Sequence, residues 1–299
     1  MKLGTSGNST IHLSADAIAR HIYVVGLSGS GKSNLLEHIT LSLIEENYGV
    51  AFFDRHGQSC EFIADRIPER RTQQTVYWEP FDTQSTIGYN PLLLKDTSDL
   101  EKSSTTERVL AAVSHAFMSG NAHNFYDEIE LKILRNTIRL LLDNNGSLLD
   151  ITRCLLEPTF RLKLLKHSTS ASTTGFWTLE YDRWNDRQRV EYTASLLNKA
   201  DAFLSNPIIA RILSHNTLTL SKSMDAGEIL LVNLSAGKMG SYASTLLGSL
   251  LTAGLSGAAL ARGINPKPFV LIIDEFAPFS NAAFVEMGTI SLSTLESHY

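Results

Sequence analysis

The sequence has few cysteines, no secretory leader pattern and no excess of basic charge, and each shortage removes a class of protein. Its two cysteines, Cys60 and Cys154, lie far apart and match neither a metal-ligand nor a redox spacing. A disulfide framework and a zinc site are therefore not expected, and a reducing compartment is. Met1 to Leu13 is polar and rich in Gly, Ser and Thr, without the basic-then-apolar layout of a signal peptide, so the expected location is the cytoplasm. With 26 Lys plus Arg against 31 Asp plus Glu, the net charge of −5 argues against whole-surface attraction to nucleic acid. Any DNA contact has to be local, such as a ring of a few basic side chains. Internal repeats and low-complexity tails are missing too. What is present is an ordinary globular composition of 299 residues, 43% hydrophobic and 19% charged, enough for one large domain or two smaller ones.

One uncharged run, Met239–Ala261, is long enough to cross a bilayer. Its content argues otherwise, because Ser241, Ser244, Thr245, Ser249, Thr252 and Ser256 alternate with Gly240, Gly248, Gly254 and Gly257. The mean hydropathy is weak for a spanning segment, and the small residues suit a buried helix packed closely against a sheet. No membrane span is expected.

Apolar periodicity divides the chain into three parts. From His21 to Glu79, β-rich runs alternate with a helical one, the pattern of a βαβ unit with a parallel sheet. Ile22–Val25 reads as a buried strand. Lys32–Glu45 reads as a helix with Leu35, Leu36, Ile39, Leu43 and Ile44 on one stripe, and Val50–Phe53 and Thr75–Trp78 read as further strands. From Ser98 to His215 helical patterns follow one another, with Pro158 and Pro207 marking breaks. Asn124–Leu142 is the clearest of these helices: Leu131, Leu134, Ile138, Leu141 and Leu142 form its apolar face, and Glu128, Lys132, Arg135 and Arg139 are solvent-facing charges. After Glu228 the alternation resumes, with Ile229–Val232 and Phe269–Ile273 as strands. The expected architecture is α/β, with a mostly parallel central sheet flanked by helices and interrupted by an all-α insertion. Its expected division is 1–97 for the first part of the α/β domain, 98–215 for an all-helical insertion, and 216–299 for the second part.

The strongest chemical signal is Gly26-Leu27-Ser28-Gly29-Ser30-Gly31-Lys32-Ser33, a G-x-x-x-x-G-K-[ST] pattern between a strand and a helix. Glycines let the chain bend so that successive N–H groups face phosphate oxygens, and the positive end of the following helix adds to the attraction. Gly26, Ser28, Gly29, Ser30, Gly31, Lys32, Ser33 and the following Asn34 are the expected nucleotide-binding residues, Lys32 reaching the β- and γ-phosphates of ATP and Ser33 ligating Mg²⁺. The plainer alternative is a glycine-rich turn with no ligand.

The second signal is Phe269-Val270-Leu271-Ile272-Ile273-Asp274-Glu275, an apolar strand ending in two carboxylates, the Walker B arrangement. Asp274 is expected at the metal beside Ser33, and Glu275 as the catalytic base that deprotonates the attacking water, with Lys32 as the other catalytic residue. Asp54 also ends a strand and emerges at the same edge in a parallel sheet, and it reads equally as a turn cap. His56 has no partner in sequence and reads as loop structure. Trp78, Tyr77 and Phe81 read as core before they read as a nucleotide platform.

Together these residues resemble the P-loop motor ATPases of the HerA/FtsK superfamily, and within it the conjugative coupling proteins of type IV secretion and their HerA-like relatives. The likeness rests on His21 before the P-loop strand, on Asp54-Arg55-His56-Gly57 against the family's Asp-Pro-(His/Lys)-Gly, and on Tyr89-Asn90-Pro91-Leu92 against its Asn-Pro-Leu. Leu231-Val232-Asn233-Leu234-Ser235, the Gly/Ala-rich helix ending at Arg262, and Asp274-Glu275-Phe276 extend it over nearly the whole chain. The resemblance implies that the α/β domain, 1–97 with 216–299, is an ATPase domain of the RecA-like P-loop NTPase fold, and that the protein is a homo-oligomeric ring, usually a hexamer, that hydrolyses ATP between subunits and pulls DNA through a central pore. Two departures accompany it. The P-loop starts at Gly26, which leaves no room for the N-terminal barrel or membrane anchor common in the family. The chain stops at Ser291–Tyr299, where relatives continue into a strand ending in a Gln sensor and further sheet strands, so nucleotide binding is expected to survive where turnover does not.

Three functions follow as alternatives: a DNA-translocating ATPase; a nucleotide-binding regulatory or assembly subunit that works with a protein partner such as a nuclease or secretion component; and a small-molecule kinase, opposed by the Asp-Glu pair and by a helical insertion without a lid arginine cluster. Arg262 and Arg211 are candidates for an arginine finger because each is basic and near an element end, although a surface role is the plainer reading.

Overall fold

The computed structural model describes residues 2–7, 9–14, 17–18, 21–118, 125–264 and 266–279, so the expectations for Ser291–Tyr299 lie outside the described residues. The chain forms two compact units. One comprises Met1–Ser85, Thr219–Ser244 and Ala258–Tyr299; the other comprises Thr86–Leu218 and Thr245–Gly257.

The first unit is α/β. A small antiparallel hairpin, β1 (Lys2–Ser6) with β2 (Ser9–His12), precedes the main sheet. That sheet consists of β3 (Gly49–Asp54), β4 (Thr75–Trp78), β5 (Ile229–Asn233) and β6 (Phe269–Asp274), in the order β4-β5-β3-β6 with every neighbour parallel. β3 and β5 are buried along their whole length, as expected of apolar runs with both faces covered. The register pairs Asp54 with Asn233 on one side and with Asp274 on the other. Three polar residues thereby end three neighbouring strands at one level, at the carboxyl edge where open α/β sheets bind ligands.

The helix Lys32–Glu45 covers this sheet through the stripe expected of it. Ile39, Leu43 and Ile44 join Val50, Phe52, Cys60, Ile63, Ile229, Leu231 and Ile272 in one core, with Leu35 and Leu36 packed partly buried against it. Each such fully buried side chain contributes about 1.5–3 kcal/mol. The amino ends of the strands are tied by Arg71, whose buried guanidinium donates to the carbonyls of Ile44 (3.1 Å), Tyr48 (3.2 Å) and Gly227 (2.9 Å). Gly49 starts β3 where a Cβ would lie 2.8 Å from the Gly227 backbone. The end of the sheet opposite the polar residues is thus closed by backbone contact.

One strand expected from the sequence is not formed. Residues 21–27 pair with no strand among the described residues, and Val25 and Leu27 are 77% and 85% exposed. An apolar run supplies hydrophobicity but not pairing, and the described sheet closes at β6 without taking up this segment. The segment does approach the end of β6, where the Tyr23 ring stands edge-on to Phe276 at 5.5 Å.

The second unit is helical. Its longer helices are Asp99–Met118, Phe125–Asp143 and Asp186–Leu204, with Pro158 and Pro207 at the first positions of Pro158–Leu165 and Pro207–Leu213, where proline's missing N–H costs nothing. Phe125–Asp143 buries Ile133, Leu134, Ile138, Leu141 and Leu142, while Lys132 and Arg135 pair at the surface with Glu180 and Glu107. The helix Ser241–Leu260 gives its middle, Thr245–Gly257, to this unit and its ends to the first. It is the one described helix long and apolar enough to cross a membrane, and 72% of its most apolar window is buried inside the protein, as in a core helix. The small residues have a local reason: a Cβ at Gly257 would overlap the Arg108 guanidinium.

Candidate functional site

The loop before Lys32–Glu45 has a backbone that only glycine adopts without strain. Gly29 and Gly31 sit at φ +75° and +88°, and Gly31 is the residue that caps the helix. No side chain caps the helix and no acidic residue occupies its first turn, so the N–H groups of that turn and the positive helix end are open to an anion. Ser28, Gly29, Ser30 and Asn34 are exposed around this end. A Cβ on Gly26 would stand 2.6 Å from the Ser30 Oγ, so the loop closes on itself at that position. The Lys32 ammonium folds back over the loop, donating to the carbonyls of Gly26 at 2.9 Å and Leu27 at 2.8 Å. This arrangement holds a cation on the loop that leads into the helix.

The second half of the site comes from β6. The Ser33 hydroxyl donates to Asp274 Oδ2 at 2.8 Å across 241 positions of sequence. The pairing follows from the fold: Ser33 lies in the first helical turn above the carboxyl edge, and Asp274 ends the strand there. Asp274 is buried, and among the described residues only the Ser33 hydroxyl reaches its carboxylate. A hydroxyl and a carboxylate at this separation are hard oxygen donors suited to Mg²⁺, which keeps waters and substrate phosphates for its other positions. Among the described residues no group of three His, Cys, Asp or Glu could enclose a metal by itself. The residues present therefore fit a Mg²⁺–nucleotide pair and not a metal alone.

Glu275 follows Asp274 but points elsewhere, because its backbone is left-handed at φ +58°. That conformation is uncommon for a residue with a side chain, and such strain clusters at functional positions. Its Oε1 lies 3.0 Å from His56 Nε2. The hydrogen bond to Glu275 is the main cause holding the His56 imidazole above its ordinary pKa; burial opposes it, and the charges of Glu275, Asp54 and Asp274 add to it. Reading His56 as a loop residue without a partner was therefore incomplete.

Asp54 is fully occupied by its own loop. Oδ1 accepts from the His56 N–H at 2.7 Å and Oδ2 from the Cys60 N–H at 3.1 Å, so it caps the turn. Burial and the neighbouring charge of Asp54 push the Cys60 thiol far above its ordinary value, which keeps it protonated. Asn233, ending β5, donates to Glu79 Oε1 at 3.0 Å and accepts from the Ser235 N–H at 3.2 Å. Gly57, at φ +93°, lies where a Cβ would be 2.5 Å from Asn233 Oδ1. The sequence signal for both contacts is a strand-ending polar residue followed within three positions by His-Gly or Ser. Trp78 is core and fully buried; the Tyr77 hydroxyl bonds Glu79 at 3.3 Å; the Phe81 ring lies 4.5 Å beneath the Lys238 ammonium. Of the two arginine candidates, Arg262 is engaged with Asp225 at 3.1 Å and the Met224 carbonyl at 3.3 Å, and Arg211 lies in the helical unit.

The family described as "Helicase HerA, central domain" matches residues 2–239 of this chain. The chain belongs to that family. Its fold is that of the P-loop ATPases, as solved structures of a coupling protein also show. The unbound monoclinic form of the bacterial conjugative coupling protein TrwBΔN70 is similar at TM-score 0.64 and 17% identity, over 93% of this chain and 61% of that one. Plasmid coupling protein TrwB in complex with ADP and Mg²⁺ is similar at TM-score 0.62 and 16% identity, over 91% and 61%. The trigonal form of TrwBΔN70 with sulphate gives 0.61 and 17%, over 91% and 60%. This HerA-family chain thus spans about three-fifths of the length of those TrwB chains. No curated protein matches it by sequence.

Proposed function

We propose that this chain is the ATP-binding and ATP-hydrolysing part of a motor that translocates DNA, working as a homo-oligomeric ring. The observation that carries the reading is the Ser33–Asp274 contact at 2.8 Å, made at an open helix N-terminus beside the Lys32 ammonium and next to Glu275. Lys32 is proposed to hold the β- and γ-phosphates, with Gly26, Ser28, Gly29, Ser30, Gly31 and Asn34 around them, and Ser33 and Asp274 to hold Mg²⁺. When bound, Mg²⁺ neutralises phosphate charge and orients the substrate. Glu275 is proposed as the base: its carboxylate accepts the proton of the attacking water as that water's oxygen bonds to the γ-phosphorus and the bond from that phosphorus to the β,γ-bridging oxygen breaks, so that the bridging oxygen leaves with ADP and inorganic phosphate forms. The motor domain is proposed as 1–97 with 216–299 and the helical insertion as 98–215. DNA is the proposed cargo, which the match to the helicase HerA central domain supports; a hexamer is the proposed ring, a nuclease or secretion component the proposed protein partner, and the cytoplasm the proposed location.

The test is steady-state ATP hydrolysis with and without double- and single-stranded DNA, beside Lys32→Ala at equal salt. Turnover that DNA stimulates and Lys32→Ala abolishes is the expected result. ATP binding without any DNA-dependent turnover would overturn the motor reading and favour the regulatory or assembly subunit.

A further inference from the structure

We propose that His56 is a positioning residue for Glu275, holding one carboxylate oxygen so that the other faces the attacking water. The inference rests on the reading of Glu275 as the base. His56 is itself placed rigidly: its N–H is fixed on Asp54 Oδ1 at 2.7 Å, Asp54 Oδ2 is fixed on the Cys60 N–H at 3.1 Å, and Gly57 turns the chain at φ +93° against the Asn233 side chain. The loop after β3 therefore presents the imidazole from a braced backbone. From it Nε2 reaches Glu275 Oε1 at 3.0 Å. Among the described residues no other group bonds that carboxylate, so Oε2 is the oxygen left to accept a proton.

A hydrogen-bond donor on a carboxylate fixes the direction of that carboxylate. His56 and Glu275 are 63% and 53% exposed, so solvent screens the charge between them. The geometric restraint is not screened: Oε1 is held by Nε2 at 3.0 Å. The acids facing His56 besides Glu275 are Asp54 and Asp274; Asp54 accepts from two N–H groups of its own loop and Asp274 from the Ser33 hydroxyl, and the imidazole's contact is with Glu275.

The test compares His56→Ala, His56→Gln and Glu275→Gln in the full chain for ATP affinity, KM and kcat of hydrolysis. His56→Ala is expected to lower kcat about tenfold, less than the roughly 10²-fold cost of gross misplacement, with KM and ATP affinity within about twofold of the parent. His56→Gln, whose amide keeps a donor at similar reach, is expected to restore most of the rate. A parent-like kcat in His56→Ala, or a loss that Gln leaves unrescued, would overturn the proposal. Failure of the base reading is a different result, parent-rate hydrolysis by Glu275→Gln. A second readout does not depend on turnover: the His56 imidazole ¹⁵N resonances should move in Glu275→Gln and stay in place in Lys32→Ala. Resonances unmoved by Glu275→Gln would overturn the contact itself.

Discussion

Asp143 of the helical unit and the two acids at the end of β6, Asp274 and Glu275, differ in how many of their lone pairs are spent. In the helical unit Asp143 is saturated: Lys102 Nζ at 2.6 Å and the Thr169 hydroxyl at 3.0 Å on Oδ1, the Ser168 hydroxyl at 3.1 Å and the Thr169 N–H at 3.0 Å on Oδ2. Arg161 in the same unit is buried too, with its terminal nitrogens bonded to the Cys154 carbonyl at 2.8 Å and Asp182 at 2.6 Å and its guanidinium 4.9 Å from the Tyr181 ring. At the carboxyl edge of the α/β sheet, Asp274 has one donor and Glu275 has one. A buried carboxylate whose oxygens are all taken specifies structure; one with oxygens to spare can still take a metal or a proton.

That contrast breaks first at the open carboxylates. Glu275→Gln should lower kcat for ATP hydrolysis by about 10²–10⁴-fold, with ATP affinity and thermal midpoint held near the parent's. Equal falls in rate and in midpoint would place Glu275 among the structural acids instead.

Asp143→Ala should do the reverse, costing about 3–5 kcal/mol in urea unfolding because it takes the carboxylate from Lys102, which keeps only the Thr169 hydroxyl, and from three other donors. The pH dependence sharpens this. Burial pushes the Asp143 carboxyl up, but Lys102 and Thr169 outweigh it and hold it below its ordinary value of 3.8. A carboxyl depressed in the folded state contributes stability that is fully present above the unfolded value and is lost as pH falls through the folded one. The stability gap between parent and Asp143→Ala should therefore be constant from neutral pH down to about 5 and close below 3.8. A gap that persists unchanged at pH 2 would show that packing, not ionisation, sets it.

Smaller effects follow from the braces. Gly57→Ala should cost about 1–3 kcal/mol, because φ is +93° there and the new Cβ meets Asn233; it should also lower kcat, since the same loop carries His56. A variant as stable and active as the parent would show that the loop yields. Glu180→Gln, which removes the exposed partner of Lys132 at 2.7 Å, should change stability by less than about 1 kcal/mol. A larger loss would mean that surface pairs hold the helical unit.

The fold and much of the candidate site were legible in sequence where a residue's role depends on its own segment. The stripe of Lys32–Glu45, the apolar strands β3, β5 and β6, and the prolines that open helices all carry their signal locally. Gly29 and Gly31 of the loop before Lys32–Glu45 do too, since positive φ leaves few alternatives. What depended on strand pairing was less legible. Ile22–Val25 has the composition of a buried strand and is exposed, because composition does not supply a neighbour. His56 looked partnerless because its partner lies 219 positions away and is reached only through the parallel register that levels Asp54 with Asp274. The choice between cap and site for Asp54 likewise turned on two backbone N–H groups that sequence alone could not count.

Calorimetric titration of ATP with Mg²⁺ into the parent, Lys32→Ala, Asp274→Asn and Asp143→Ala tests the central claim most directly, that the open carboxyl edge of the α/β sheet is the nucleotide site. The account predicts Mg²⁺-dependent binding by the parent and by folded Asp143→Ala, and at least tenfold weaker binding by Lys32→Ala and Asp274→Asn. Parent-like affinity in both of those variants would contradict it.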